Sequence, residues 1–245
     1  ILVGSPTYYM KDYIFNKWYQ IITNLSYDNY DWIVVDNSPN VSYKNKLRRR
    51  GVRRLYRTPR GKNSREAQAN SMELMRHKAL KEDYDFMLIV ETDLLPPRDI
   101  IEKLLNDYQE LLDNNKINED VGGVVGASYE IGLHGSKVAP RRMCIYGYEP
   151  DQTKTGGKVL NMVPIDMGYK MLGTGLQKVT ACGIGCTLIP KQIFKKFDFP
   201  WTDVIVVHTD MLFYRDLFNK GIPVYCDTNI IVPHYNMNWA KVKDM

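Results

Sequence analysis

Phe86-Met87-Leu88-Ile89-Val90-Glu91-Thr92-Asp93-Leu94-Leu95-Pro96-Pro97 is the stretch on which the fold turns. A short, unbroken apolar run, part of it β-branched, reads as a strand buried on both faces. The chain leaves that strand in an acidic turn. Proline suits the first turn of a helix. Ile100, Ile101, Leu104, Leu105, Tyr108, Leu111 and Leu112 then recur along one apolar helix face.

The same strand-then-helix unit occurs upstream. Ile1-Leu2-Val3-Gly4 reads as a first strand, followed by the loop Ser5-Pro6-Thr7-Tyr8-Tyr9. Ile14, Trp18, Ile21, Ile22 and Leu25 fall at helical spacing. Trp32-Ile33-Val34-Val35 is a second buried strand, ending in the turn Asp36-Asn37-Ser38-Pro39. A third strand is expected at 52–56. Asn63 or Ser64 caps a helix running to about Leu80, with Ala67, Met72, Met75 and Ala79 on one face.

Downstream, 121–127 reads as a strand and 128–178 as a long irregular, glycine-containing region. Loops of that length are commonly functional. A strand is expected over 179–189, a short helix over 190–197, and a helix over 209–219 stopped by Gly221. Pro223-Val224-Tyr225-Cys226 and Ile230-Ile231-Val232 close the chain as strands, with His234 just beyond. Strand–helix alternation implies an α/β fold: a Rossmann-like, mostly parallel central sheet flanked by helices on both faces. A chain of 245 residues fits one domain, with a nucleotide-binding half over 1–127 and an acceptor-binding, catalytic half over 128–245. Ligands of such sheets sit beyond the carboxyl ends of the strands. Asp36, Asp93 and His234 all fall at strand ends, so they are expected to converge on one edge.

Composition narrows the classes. A hydrophobic fraction of 44% with 25% charged residues describes an ordinary globular protein and excludes disorder, collagen and coiled coil. No apolar run approaches the roughly 18 residues that would span a bilayer. Four scattered cysteines do not make a disulfide framework, and reduced thiols in a cytoplasmic setting are expected. The net charge of +5 is unevenly placed. Arg48, Arg49, Arg50, Arg53, Arg54, Arg57, Arg60, Lys62 and Arg65 follow one another with no intervening acid. Such a run suits phosphates, nucleic acid or an acidic surface, and equally a solvated face.

Glu91 and Asp93 leave a buried strand together, as carboxylates that bind hard cations do. Asp93 would equally suit a helix cap. His234 gains meaning only beside Asp93, since a neutral imidazole can complete a manganese site. Asp210 opens a helix after His208-Thr209, either as a cap or as a general base. Asp36 can accept hydrogen bonds from a nucleoside or hold its own turn. The chain has no third glycine after Gly183-Ile184-Gly185, no phosphate-binding GxxxxGK[ST], no GxSxG and no HExxH. Those absences weaken dehydrogenase, P-loop kinase and hydrolase readings.

The order of these motifs, from Ile1 to about His234, resembles the inverting family 2 glycosyltransferases of the GT-A fold. Ser5-Pro6-Thr7-Tyr8 resembles the family's nucleotide loop, and Val34-Val35-Asp36-Asn37-Ser38 its nucleoside-binding strand end. Residues 61–70 resemble the basic segment before a helix, and Glu91-Thr92-Asp93 with its prolines the DxD metal turn. The glycine-rich acceptor strand resembles Cys182-Gly183-Ile184-Gly185-Cys186, the base motif Thr209-Asp210, and the late histidine His234. Glu91 replaces the first Asp of DxD, and Thr209 the Glu before the base.

The resemblance implies a metal-dependent transfer of sugar from a nucleotide-diphosphate sugar, a UDP-sugar first, to an acceptor hydroxyl with inversion. Mn2+ or Mg2+ would be held by Asp93, His234 and Glu91. Pro6, Thr7, Tyr8, Asp36 and Thr92 would hold the donor, and Arg60 and Arg65 would compensate its phosphates. Asp210 would be the base. Trp201, Gly183 and Gly185 would face sugar or acceptor, the latter a glycan, protein, small molecule or modified DNA. Three rivals stay open: a nucleotidyltransferase, a glycosyltransferase acting on hydroxymethylated DNA bases with Arg141 and Arg142 in its acceptor loop, and a nucleic-acid-binding module using the basic run.

Overall fold

The computed structural model describes residues 1–132, 141–150, 158–204 and 208–235. The first half runs β1 (Leu2–Thr7), α1 (Asp12–Ile22), β2 (Asp31–Asp36), α2 (Ser42–Arg49), β3 (Leu55–Arg57), α3 (Ser64–Lys81), β4 (Phe86–Val90), α4 (Ile100–Asp113) and β5 (Val124–Ser128). The second half adds β6 (Glu130–Ile131), β7 (Arg142–Met143), β8 (Ile145–Pro150), β9 (Lys158–Met162), α5 (Ile165–Lys170), β10 (Leu176–Val179), β11 (Ala181–Cys182), β12 (Cys186–Pro190), α6 (Lys191–Lys196), α7 (Thr209–Asn219) and β13 (Val224–Ile231).

Eight strands form the main sheet in the order β10-β13-β5-β12-β4-β1-β2-β3. Strands β1 to β5 and β13 point one way; β12 and β10 run against them. The sheet is mostly parallel, as the alternating pattern predicts, and strands from both halves of the chain build it.

The apolar run in β4 is continuous because both of its faces are covered. Leu88 and Val90 point into one core layer with Phe15, Trp18 and Ile22 of α1 and Ile101 and Leu104 of α4. Met87 and Ile89 point into the other, with Met72 and Met75 of α3, Phe194 of α6 and Phe213 of α7. Strand β2 alternates the same way, Val34 to the first layer and Ile33 and Val35 to the second. Asn63 caps α3, its Oδ1 accepting the N–H groups of Arg65 at 3.0 Å and Glu66 at 3.1 Å.

Several expectations are corrected. The third strand lies at Leu55–Arg57, later than 52–56, and α2 has no counterpart in the sequence reading. Only Tyr43 and Leu47 of α2 are buried, too few for a legible face. The expected strand over 179–189 is three strands in two sheets: β10 and β12 join the main sheet, whereas β11 pairs with β8 beside β9. The two strands expected at the end are one, β13, with a register shift between Asp227 and Ile231. The region 128–178, read as irregular, contains β6 to β9 and α5.

All four cysteines are free and buried, in line with reduced thiols. Among the described residues no helix is long and apolar enough to cross a membrane.

Candidate active site

Parallel strands bring their carboxyl ends to one edge, so β1, β2 and β4 deliver Thr7, Asp36 and Glu91 side by side. Thr7 and Asp36 are register partners. A cleft of about 470 Å³ opens there. Pro6, Thr7, Tyr8, Asn37 and Arg60 form part of its wall; Lys11, Glu91, Asp93 and His234 form another part, and Ser64, Gln68 and His208 complete it.

The acidic turn is clamped from below. The Thr92 hydroxyl is fully buried, lies 3.1 Å from the Thr7 hydroxyl and donates to the Pro6 carbonyl at 3.4 Å. It ties the turn to β1 and does not line the cleft. The Glu91 N–H donates to the Gly185 carbonyl at 2.8 Å. The end of β13 is stitched to the same turn: Leu94 bridges His234, and the N–H of Leu95 donates to the Pro233 carbonyl at 3.0 Å. His234 therefore reaches Asp93, its Nε2 lying 3.6 Å from Oδ2. Its Nδ1–H donates to the Glu130 carbonyl at 2.6 Å, and the Tyr129 ring meets it edge-on at 5.4 Å. This carbonyl contact fixes the ring and its tautomer.

Lys11, which the sequence reading passed over, sits at the centre of this end. It closes the one-turn 3-10 segment between β1 and α1, and its side chain is only 15% exposed. Its Nζ lies 2.7 Å from Asp93 Oδ1 and 2.9 Å from Glu91 Oε2. Burial pulls the ammonium pKa down, but Asp93 and Glu91 outweigh it and hold the pKa above its ordinary value. Asp93 is itself pushed up by burial, yet Lys11 and His234 bring it well below the usual carboxylate range.

The wall of Tyr8, Asn37 and Arg60 is aromatic and basic. The Arg60 guanidinium stacks on the Tyr8 ring at 4.2 Å and donates to Asn37 Oδ1 at 3.4 Å. Burial, with a hydrogen bond that the Tyr8 hydroxyl donates to Tyr9, pushes the Tyr8 phenol up to about 12. Asp36 holds its own turn. One oxygen accepts the Ser38 N–H at 2.9 Å, and the other is buried with no partner among the described residues. Burial raises its pKa despite the Ser38 bonds. Asp36 lies beneath the cleft; its neighbour Asn37 lines it. Arg65 offers its backbone N–H to the Asn63 cap, and Ser64 and Gln68 rather than Arg65 line the cleft.

Gln68 links the two sides. Its Nε2 donates to Glu91 Oε1 at 3.1 Å, and its Oε1 faces His208 Nδ1 at 3.3 Å. Asp210 follows in the first turn of α7, half-buried, its Oδ1 accepting the Met211 N–H at 2.9 Å. Burial pushes its pKa up to about 6; His208 opposes that and the Glu91 charge adds to it. His208 lines the cleft, whereas Asp210 does not. Trp201 also lies outside the lining, with Lys62 Nζ 5.5 Å over its ring. Neither Gly183 nor Gly185 lines the cleft; Gly183 faces the Tyr129 ring, and Gly185 faces Leu94 and the Tyr129 hydroxyl. A Cβ at 183 would fall 2.2 Å from that ring. The glycines let Tyr129 pack on bare backbone, and this close approach also breaks the strand expected across them.

Of the side chains the sequence reading missed, Lys11 and Gln68 carried no local signal. His208 adjoins the Thr209-Asp210 motif, and Asn37 adjoins Asp36, so both were findable by proximity.

The residues read as a cation site do not fit one in this arrangement. Glu91, Asp93 and His234 do gather at one end of the cleft. However, the point on which the two carboxylates converge is filled by the Lys11 ammonium, and no group of His, Cys, Asp and Glu forms a metal-binding cluster among the described residues.

The basic run is largely engaged inside the chain. Arg50 pairs with Asp12 at 2.6 Å, and Arg54 with Asp31 at 3.2 Å and with Glu82. Arg57 donates to the Ser38 and Pro39 carbonyls at 2.9 Å, and Lys62 pairs with Asp203 at 3.1 Å. With Arg60 on Tyr8, five of the nine basic residues have internal partners. Arg141 pairs with Glu130, and Arg142 lies in β7; residues 133–140 and 151–157 of the region assigned to an acceptor lie outside the described residues.

No family description matches the chain, and no curated protein matches its sequence. Solved structures do share its fold. The structure of S. aureus TarS 1-349 in complex with UDP aligns at a TM-score of 0.51 and 14% identity, over 94% of this chain and 58% of that one. A longer TarS structure aligns at 0.53 and 14% identity, over 94% of this chain and 35% of that one. This chain thus spans well under two thirds of the TarS chains it matches. A197 from STIV aligns at 0.45 and 14% identity, over 96% and 85% of the two chains.

Proposed function

We propose that this chain is a glycosyltransferase that takes its sugar from a nucleoside diphosphate sugar, with a UDP-sugar as the first candidate. The observation that carries the reading is one cleft, at the carboxyl ends of parallel strands, with two chemically different walls. Tyr8, Asn37 and Arg60 offer a flat ring, an amide and a guanidinium, groups suited to a nucleoside. Lys11, Asp93 and His234 offer a charged end suited to a diphosphate. TarS, a glycosyltransferase with the same fold, has been solved with UDP, which supports the choice of nucleotide.

Asp210 is proposed as the base. An acceptor hydroxyl would lose its proton to the carboxylate while its oxygen forms a bond to the anomeric carbon. The bond from that carbon to the diphosphate oxygen breaks on the opposite face, giving inversion. A carboxyl pKa near 6 suits a base working near neutrality. Asp36, through its unpartnered oxygen, is proposed to accept a hydrogen bond from the nucleoside.

Titration calorimetry with UDP, GDP, CDP and dTDP tests the nucleotide site, and incubation with UDP-sugars tests donor cleavage. Binding of UDP that Tyr8→Ala weakens is the expected result. Silence across all four diphosphates would overturn the reading. The nucleic-acid reading is not favoured, since most of the basic run is internally paired.

A further inference from the structure

The Glu91–Asp93 turn carries two carboxylates at the end of the cleft where the diphosphate is proposed to lie. Unaided, that end would repel a polyanion. Asp93 is only 3% exposed at its side chain and Glu91 18%, so the pair also needs a counter-charge for its own sake. One side chain meets both needs. The Lys11 Nζ touches both carboxylates and lines the cleft.

An ammonium has three N–H donors. Two are used on Glu91 and Asp93, and among the described residues no third acceptor stands against Nζ. The third faces no protein competitor for an incoming phosphate oxygen. The short 3-10 turn between β1 and α1 sets this position: the Lys11 N–H donates to the Tyr8 carbonyl at 2.7 Å, folding the chain back over the strand end. Lys46 and Arg50 both pair with Asp12, the next residue, which fixes the start of α1 from the far side.

A divalent ion at the same point would have to displace Lys11 from two carboxylates. It would leave a mostly buried ammonium beside a doubly charged cation, and both terms oppose the exchange. We infer that Lys11 is the resident cation of the acidic turn and supplies the charge contact to the donor diphosphate, so that nucleoside diphosphate binds without a divalent metal. This rests on the proposal that the cleft takes a nucleoside diphosphate. Lys11 holds the turn's carboxylates from one side and the phosphate from the other. As the sugar bond breaks, charge grows on the leaving diphosphate within reach of a fixed ammonium.

Two measurements test this. The first is calorimetric titration of UDP in EDTA and in Mn2+ on the wild type, Lys11→Met and Lys11→Arg. The wild type should bind UDP in EDTA, with Mn2+ changing the affinity by less than about threefold. Lys11→Met should lose at least about tenfold in EDTA, and Lys11→Arg should keep most of the affinity. The second is uptake of micromolar Mn2+ by the nucleotide-free protein, read by electron paramagnetic resonance. The wild type should leave Mn2+ in solution, and Lys11→Met, with its carboxylates released, should bind it.

UDP binding by the wild type that requires Mn2+, or uptake of micromolar Mn2+ by the nucleotide-free wild type, overturns the inference while sparing the nucleotide site. These two arms use the unmodified protein, so a poorly folded variant does not mask them. Unchanged UDP affinity of Lys11→Met in EDTA also overturns it. No binding of any nucleoside diphosphate in either condition overturns the nucleotide site, and this inference with it.

Discussion

The Tyr129 hydroxyl accepts the Gly185 N–H at 3.1 Å, and the same ring lies where a side chain on Gly183 would have to be. Tyr129 in turn meets His234 edge-on. A buried ring therefore connects the glycine pair to the histidine that faces Asp93. Gly183→Ala should force the ring to move. The expected cost is about 1–3 kcal/mol, as for other overpacked cores, read as a lower melting temperature. UDP affinity should fall with it, since His234 and the acidic turn lean on that ring. A variant with wild-type stability and affinity would show that the contact yields freely.

The layered fold was legible because β2 and β4 place their apolar residues alternately on both faces, and the adjoining helices show their own stripes. Asp36, Glu91, Asp93 and His234 were legible for the same reason: each follows a readable strand. The rest depends on contacts distant in sequence. Lys11 is one charged residue in a loop, and its partners lie about eighty positions away. The run over 48–65 contains no acid, so nothing local reveals Asp12, Asp31, Glu82 and Asp203 as its partners. Gly183 and Gly185 read as an acceptor strand because Tyr129, the reason for their smallness, sits in a region that reads as irregular.

Asp210 gives a pH signature. Its folded pKa is raised to about 6, mainly by burial. A general base must be ionised, so donor consumption should rise as pH climbs through 6 and level off above 7. Asp210→Asn should lower the turnover by about 10²–10⁴-fold. Its UDP affinity should change less than about twofold, because Asp210 does not line the cleft. A pH–rate profile flat between 5 and 8 would remove Asp210 from the role.

Asp107 predicts a pH effect on stability away from the site. Burial, then the charges of Asp227 and Glu110, push its carboxyl up to about 7. The ordinary value of 3.8 holds in the unfolded chain, so the folded state binds this proton more tightly. The contribution is present below about pH 4 and is lost as pH rises toward 7. Asp107→Asn keeps the shape and removes the charge. It should raise the stability at pH 8 by on the order of 1 kcal/mol after solvent screening, read as a higher melting temperature, and change little at pH 4.5. Equal shifts at both pH values would rule out a charge origin.

Arg60 distinguishes a nucleoside wall from a phosphate clamp. Its guanidinium carbon lies over the Tyr8 ring, 4.2 Å from the centroid, and the side chain is tied to Asn37, which sets its position on the wall proposed to face the nucleoside. Such stacking contributes about 0.5–1 kcal/mol at a partly exposed site and keeps the ring in one orientation. Arg60→Ala should therefore weaken uridine and UDP by a similar factor, about two- to fivefold. Arg60→Lys should restore little, since an ammonium keeps the charge but loses the planar stack. If UDP alone weakened while uridine did not, Arg60 would be reaching the phosphates. The lysine variant should then recover most of the affinity, and calorimetry on the two variants with the two ligands separates the cases.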